Sequence, residues 1–337
     1  MDEEFLTELR ALGASVGVRL DEPMARHTTF GIGGPADCYA VAATEDHLLS
    51  LTDIARRHDV PFFVLGSGSN ILVGDDGIRG LVIENHYTHC DEPVPHAGDS
   101  LRLRAASGAS FASLARRLAQ GGLAGLEWAC GIPGTLGGAV VYNAGAYGGC
   151  LADVLLGVRV TNGGRPTEIA ASELALGYRG SAFTRGVLAG RLVLSVDLLL
   201  HQSDAAALTQ RVAQLDARRL AAQPRGRSAG SIFKNTPEHP AWWLIDQVEL
   251  RGHRIGEAEI SARHTNFFVN RGRARAADVV GLMRLAQQRV QERFGIQLDA
   301  EVALVGEDFG TDAPAFSAIR RGGARKADKQ GWETTDG

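Results

Sequence analysis

The apolar positions of this chain change period several times, and each change marks an element. Between Glu45 and His58 they fall at Leu48, Leu49, Leu51, Ile54 and Ala55, the spacing that turns one helical face toward a core. Leu101–Ala106 alternates with period two and predicts a strand, while Tyr39–Ala42, Pro61–Leu65 and Gly80–Glu84 are short apolar runs that predict others. Ser110–Gly121 is an amphipathic helix ending on Gly-Gly. An acidic amphipathic helix opens the chain, and the Pro- and Asp-rich stretch Glu92–Ser100 is a turn. Val154–Thr161 and Leu192–Leu199 read as strands, with an Asn-Gly-Gly hairpin turn at 162–164 after the first. The polar-faced helix Asp204–Ala222 then opens a further unit, containing a helix at Ala241–Val248, a strand-like run at Ile260–Val269 and a long helix at Ala276–Phe294. From Glu307 the periodicity is lost and Gly, Asp, Lys and Arg accumulate, which predicts a disordered tail. The fold class is therefore α+β, divided as 1–84, 85–203 and 204–306, with 307–337 as tail.

Glycine breaks this pattern most strongly. The 42 glycines exceed the roughly 24 that an average usage of about 7% would give. They crowd into Ala129–Gly149, at 131, 134, 137, 138, 145, 148 and 149. Such density weakens regular structure and is tolerated where the backbone must approach something bulky, and bare N–H groups suit a phosphorylated ligand. A loop without a ligand is the alternative, but interleaved Ile132, Leu136, Val140, Val141 and Tyr142 give the segment a buried side. A second cluster, Gly66-Ser67-Gly68-Ser69-Asn70, follows the apolar run Val60–Leu65. Its third fingerprint glycine is replaced by Ile71, and Ile71–Val73 reads as a strand, so it is a strand–turn–strand nest and not a Rossmann turn. A P-loop is also absent. Two such cradles predict a dinucleotide held by loops.

Charge and cysteine narrow the class. A net charge of −4 gives no electrostatic case for nucleic acid or an anionic membrane. The scattered Cys38, Cys90, Cys130 and Cys150 have no zinc-like spacing, so no metal is expected and a reduced, cytoplasmic setting fits. Arg191 and Asp197 interrupt the longest apolar candidate for a membrane span, and the N-terminus is unlike a signal peptide.

A series of local motifs adds to this. His27-Thr28-Thr29-Phe30-Gly31-Ile32-Gly33-Gly34-Pro35-Ala36 comes first, followed by the two glycine clusters. Then come Tyr178-Arg179-x-Ser181, Ala229-Gly230-Ser231-Ile232-Phe233-Lys234-Asn235, His264-x-Asn266-Phe267 and Glu301-Val302. In this order, over about residues 20–306, the chain resembles the UDP-N-acetylenolpyruvoylglucosamine reductases of bacterial peptidoglycan synthesis, in a shorter subtype. The resemblance implies an FAD-binding fold of the vanillyl-alcohol-oxidase type, in which two α+β subdomains clasp FAD, plus a C-terminal α+β substrate-binding domain. It implies non-covalent FAD, NADPH as co-substrate, UDP-N-acetylenolpyruvoylglucosamine as substrate, and a role in cell-wall biogenesis, cell shape and division. A monomer is expected.

The resemblance also implies roles. Reduction of a vinyl ether conjugated to a carboxylate puts hydride on the β-carbon and a proton on the α-carbon, with charge building on the carboxylate. Arg179 matches the family arginine that holds this charge, Glu301 its glutamate, and Ser231 its proton donor. FAD falls to Gly66, Ser67, Gly68, Ser69 and Asn70, and to Gly131, Ile132, Pro133, Gly134, Thr135, Gly137, Gly138, Ala139, Asn143, Ala144, Gly145, Ala146 and Tyr147. Tyr178, Arg219, Lys234 and Asn235 are expected to contact substrate; Arg218, Arg225 and Arg227 add a basic approach, and His264 and Asn266 brace the site. The chain departs from the family at His27, where asparagine is usual, and at Trp242, where glycine is usual. Two other functions compete: an oxidase of the same fold, often tethering FAD through His or Cys, and a non-catalytic UDP-sugar- or dinucleotide-binding protein.

Overall fold

A computed structural model describes residues 1–310 of the chain. The first subdomain is a sheet ordered Arg19–Pro23, Pro35–Ala42, Ile78–Asn85, Phe62–Leu65. Its middle pair is parallel, with Cys38 opposite Leu81 and Ala40 opposite Ile83. Helices α1 (Glu3–Ala11) and α2 (Glu45–Arg57) close one face, burying Phe5, Leu9, Leu48 and Leu51 on Leu81 and Ile83. Thr44 caps α2 by accepting from the His47 N–H at 3.1 Å, and acidic residues lead the helix with Arg56 and Arg57 at its end, as its dipole favours.

The second subdomain is an antiparallel sheet in which Leu192–Gln202 lies between Leu155–Thr161 and Ser100–Ala106. Helices α3 (Phe111–Gln120) and α4 (Leu136–Val141) cover it. The Asn-Gly-Gly turn forms, but it leads into Thr167–Ala170 and not directly into the strand at 192. That added strand is Thr-Glu-Ile-Ala at an exposed edge, so it carries no apolar alternation to betray it.

Helix α5 (Ala205–Ala222) corrects the expected boundary at 204. Its buried Leu208, Val212 and Leu215 join the core of Leu114, Leu118 and Leu200, so α5 belongs to the second subdomain. The third unit follows it. Here α6 (Ala241–Gln247) and α7 (Ala276–Phe294) pack Leu244, Ile245, Met283 and Val290 around Phe233 and Phe268. The run Ile260–Val269 is not one strand. Ala258–Ile260 and Phe268–Asn270 pair antiparallel around a bend in which Ser261 N–H donates to Phe267 O at 2.8 Å. Thr265, Asn266 and Phe267 are buried in that bend, while Ala262 and Arg263 are exposed.

The chain then returns to the first subdomain, as Ala303–Val305 pairs parallel with Ile71–Val73. The tail expected from Glu307 does not begin there. Glu307 bridges Gly77 and Phe309 is buried in the third core; residues 311–337 lie outside the described residues. Among the described residues no helix is long and apolar enough to cross a membrane.

Candidate active site

The two glycine clusters form one cradle. Gly66 lies against Thr135, where a Cβ would come 2.6 Å from Oγ1, and the Ser69 hydroxyl donates to Pro133 O at 2.9 Å. Gly66–Asn70 is the turn between strands Phe62–Leu65 and Ile71–Val73. Gly68 has φ +59°, and a Cβ there would lie 2.1 Å from His27 O. Within the described residues no hydrogen bond uses the N–H groups of Ser67, Gly68 and Ser69, so they are free for an anion.

The longer cluster needs its glycines partly for packing inside the protein. It contains the short helix α4, on which Gly137 meets Ser107, with a Cβ 2.9 Å from that of the serine. Gly131 lies beneath Arg219 and Gly149 against the Trp128 ring. Gly148 and Gly134 instead face open space, the latter with only Ser69 Oγ nearby at 3.5 Å. The cradle thus combines protein-packed glycines with others that leave room for a bulky group.

The polar side chains expected to reach the cofactor largely tie the cradle together. Asn143, buried with φ +42°, donates to Gly177 O at 2.9 Å and accepts from Ala152 N–H at 3.0 Å. Asn70 donates to Glu301 O at 3.2 Å, and Thr135 Oγ1 accepts from Gly138 N–H at 3.4 Å. Ile132, Ala144 and Tyr147 pack on the second core, Ala139 is buried in it, and Gly145-Ala146 pairs with Gly149-Cys150. The Arg218 guanidinium sits 5.3 Å from the Tyr147 ring centroid.

Those ties lead to the second half of the site. Gly177 and Gly180 exchange backbone hydrogen bonds of 3.0 and 3.2 Å, closing a tight turn around Tyr178 and Arg179. Arg179 sits there at φ +52°, a costly region for a residue with a side chain and one often found at functional sites. Its Nε lies 2.9 Å from Glu301 Oε1, close enough for strong attraction, but the N–H is not aligned on the oxygen as a hydrogen bond.

Glu301 comes from the other end of the molecule. Its N–H donates to Ile232 O at 2.8 Å, and Lys234 N–H donates to Asp299 O at 2.8 Å. On the other side Ser231 bridges Phe267, and Asn266 clamps Phe233 N–H and C=O at 2.9 and 2.8 Å. Segment 231–234 is therefore stitched between the 266–267 and 299–301 backbones. Burial pushes the Glu301 carboxyl above the usual carboxylate range, with Arg179 and then Lys234 pulling partly against it.

The expected substrate contacts divide. Tyr178 is exposed, and its hydroxyl accepts from Asn235 N–H at 3.3 Å. The Asn235 side chain is used structurally, accepting from Ala241 N–H at 3.0 Å at the start of α6. Arg219 lies over Gly131 in the cradle, where burial lowers its pKa, so it adjoins the glycine loop. Arg227 packs on Gly31. Sequence reasoning missed the coupling made by Asn143; an asparagine just after a glycine-rich helix, free to adopt positive φ, is the one signal that pointed there.

A covalent flavin link finds no support in the geometry. Both ring nitrogens of His27 are engaged by carboxylates, at 2.8 Å from Glu84 and 3.0 Å from Glu22. Cys130 is buried with Sγ 3.6 Å from Asp216 Oδ1, and burial raises its thiol pKa.

Comparison with known proteins decides the family. Residues 36–165 match the FAD binding domain family, and residues 222–305 match the C-terminal domain of UDP-N-acetylenolpyruvoylglucosamine reductase. The reductase of that name from Chloroflexus aggregans is 41% identical, over 86% of this chain and 98% of its own. This chain belongs to the UDP-N-acetylenolpyruvoylglucosamine reductase family. The reductase from Agathobacter rectalis is 40% identical over 91% of this chain and all of its own. The crystal structure of the Thermus caldophilus reductase aligns with TM-score 0.69 at 36% identity, over 85% of this chain and 97% of that one. The fold is thus an α+β, FAD-binding fold with an additional C-terminal domain.

Proposed function

We propose that this reductase-family chain binds FAD across its joined glycine loops and uses NADPH to convert UDP-N-acetylenolpyruvoylglucosamine to UDP-N-acetylmuramate. It acts in the cytoplasm, in peptidoglycan precursor synthesis. The observation that carries the site assignment is the 2.9 Å meeting of Arg179 with Glu301, beside the stitched segment that holds Ser231 and Lys234. The second and third units come together there, and Asn70 and Asn143 connect the pair to the cradle.

FAD held in the cradle and reduced by NADPH would supply the hydride for the β-carbon. The Arg179 guanidinium meets the substrate carboxylate, where negative charge grows as the hydride arrives. Its unaligned Nε–H leaves it able to turn toward that charge. Ser231 gives the proton to the α-carbon. A hydroxyl is a poor acid near neutral pH, so the positive charges of Arg179 and Lys234 must stabilise the oxyanion it becomes. Glu301, whose carboxyl burial pushes up against the pull of Arg179 and Lys234, orients Arg179 and polarises the site. Tyr178 and Lys234 contact the substrate, while Arg219 neutralises phosphate charge at Gly131.

The test is direct. The purified protein is reduced anaerobically with NADPH and mixed with UDP-N-acetylenolpyruvoylglucosamine. Bleaching of a flavin spectrum and its recovery on substrate addition is the expected result. Recovery with oxygen alone would make the protein an oxidase, and a colourless protein would overturn the cofactor assignment.

A further inference from the structure

The residue that departs from the family at the first motif holds the most constrained polar contacts near the cradle. His27 is 13% exposed in its side chain, with Nδ1 2.8 Å from Glu84 Oε2 and Nε2 3.0 Å from Glu22 Oε1. Its ring packs, tilted, against Tyr39 at 4.5 Å between centroids, and the Tyr39 hydroxyl donates to the same Glu84 oxygen. A neutral imidazole has one N–H and one lone pair, so it can satisfy only one of two carboxylates; the imidazolium satisfies both. The backbone of this residue touches the cradle. His27 O lies where a Cβ of Gly68 would be, Thr29 N–H donates to Gly68 O at 3.0 Å, and the Thr29 hydroxyl donates to Ser228 O at 2.8 Å. Farther along the loop, Asn270 donates to Phe30 O at 3.0 Å.

We propose that His27 is a positioning residue for FAD: held between the Glu22 and Glu84 carboxylates, it fixes the backbone against which the Gly66–Asn70 turn is folded. The inference rests on the assignment of that turn to FAD. The charges around it come from every neighbouring element. Arg19 and Arg26 lie 3.3 and 3.7 Å from Glu22 Oε1, and His86 lies 3.0 Å from Glu84 Oε1. Arg19 and Arg26 are largely exposed, so water screens them, whereas the His27 contacts are shielded. Loss of the His27 ring leaves both carboxylates without that partner and loosens the 27–29 backbone on which Gly68 rests. FAD affinity therefore falls when the ring is removed.

The experiment is a titration of the full-length apoprotein with FAD, followed by flavin fluorescence quenching. His27→Leu, which can bond to neither carboxylate, should bind FAD about tenfold more weakly than wild type. The double variant His27→Gln/Glu22→Gln keeps a matched donor–acceptor chain to Glu84 and should retain most of the affinity. Wild-type affinity in His27→Leu overturns the proposal. A folded double variant whose affinity falls about tenfold or more overturns it as well, whether or not His27→Leu folds. A wild-type protein that binds no FAD overturns the cofactor reading, and the role of His27 with it.

Discussion

The cradle and the proposed catalytic junction solve different problems with different materials. The cradle is built from local sequence, two short glycine-rich stretches whose own backbone makes the surface. The junction is built from side chains far apart in the chain: Arg179 on a turn of the second unit, Ser231 and Lys234 on a third-unit segment, and Glu301 just before the strand that returns to the first unit. A cofactor's pyrophosphate needs many weak backbone donors and close approach, which local glycine supplies. A developing carboxylate charge needs a few strong groups converging on one point, which only tertiary structure supplies. The two regions are coupled through few links, chiefly Asn143 to the Arg179 turn and Asn70 to Glu301.

Substitutions on either side of that divide should separate the two half-reactions. After Ser231→Ala, the largest effect is expected from Glu301→Ala, which frees Arg179 from its partner. Flavin re-oxidation by substrate should slow by about 10²–10³-fold, the usual loss on removing one preorganised electrostatic group. Reduction by NADPH should stay within a few fold, as stopped-flow absorbance would measure. Asn143→Ala cuts a link between the regions and leaves Gly177 O and Ala152 N–H without their partner. It should cost about 1–3 kcal/mol of stability, read by thermal unfolding, and should slow re-oxidation more than reduction. An equal effect on both half-reactions would show that Asn143 serves the cradle alone.

Gly137→Ala probes the cradle by itself. The added methyl meets Ser107, and overpacking of this kind costs about 1–3 kcal/mol. FAD affinity should fall, while turnover of the FAD-saturated enzyme should hardly change. The smallest effect is expected at Glu259, buried between Arg254 and Arg271 and away from both regions by its contacts. Hydrogen bonds from Arg271 and Arg254 hold its carboxyl below the usual range. A depressed folded pKa gives stability that is present above the unfolded value and is lost as pH falls through the folded one. Glu259→Gln should therefore cost about 1 kcal/mol at pH 7, with wild type and variant converging in acid, and both half-reactions should be unchanged.

The same divide explains what the sequence disclosed. Gly66–Asn70 and Ala129–Gly149 stand out because their chemistry is local. The elements from Glu45 to Ala106 follow from periodicity for the same reason. The apolar stripe of α5 shows that Leu208, Val212 and Leu215 face a core, but not which core, so the boundary at 204 fell on the wrong side of that helix. The bend inside Ile260–Val269 was hidden because apolar Ile260 and Phe267–Val269 flank it, although Ser261, Thr265 and Asn266 within it are buried polar residues. Arg179, Ser231 and Glu301 could be singled out only through the family resemblance, since a lone arginine, serine or glutamate in a loop has no signature of its own. That Asn143 and Asn70 bond to backbone is a property of the folded chain.

The central claim is that Ser231 delivers the α-carbon proton in a site separate from the cradle that accepts FAD. The most direct test is anaerobic stopped-flow on Ser231→Ala, reduced first with NADPH and then mixed with UDP-N-acetylenolpyruvoylglucosamine. The account predicts reduction near the wild-type rate and re-oxidation slowed by several orders of magnitude. Re-oxidation at the wild-type rate would contradict it.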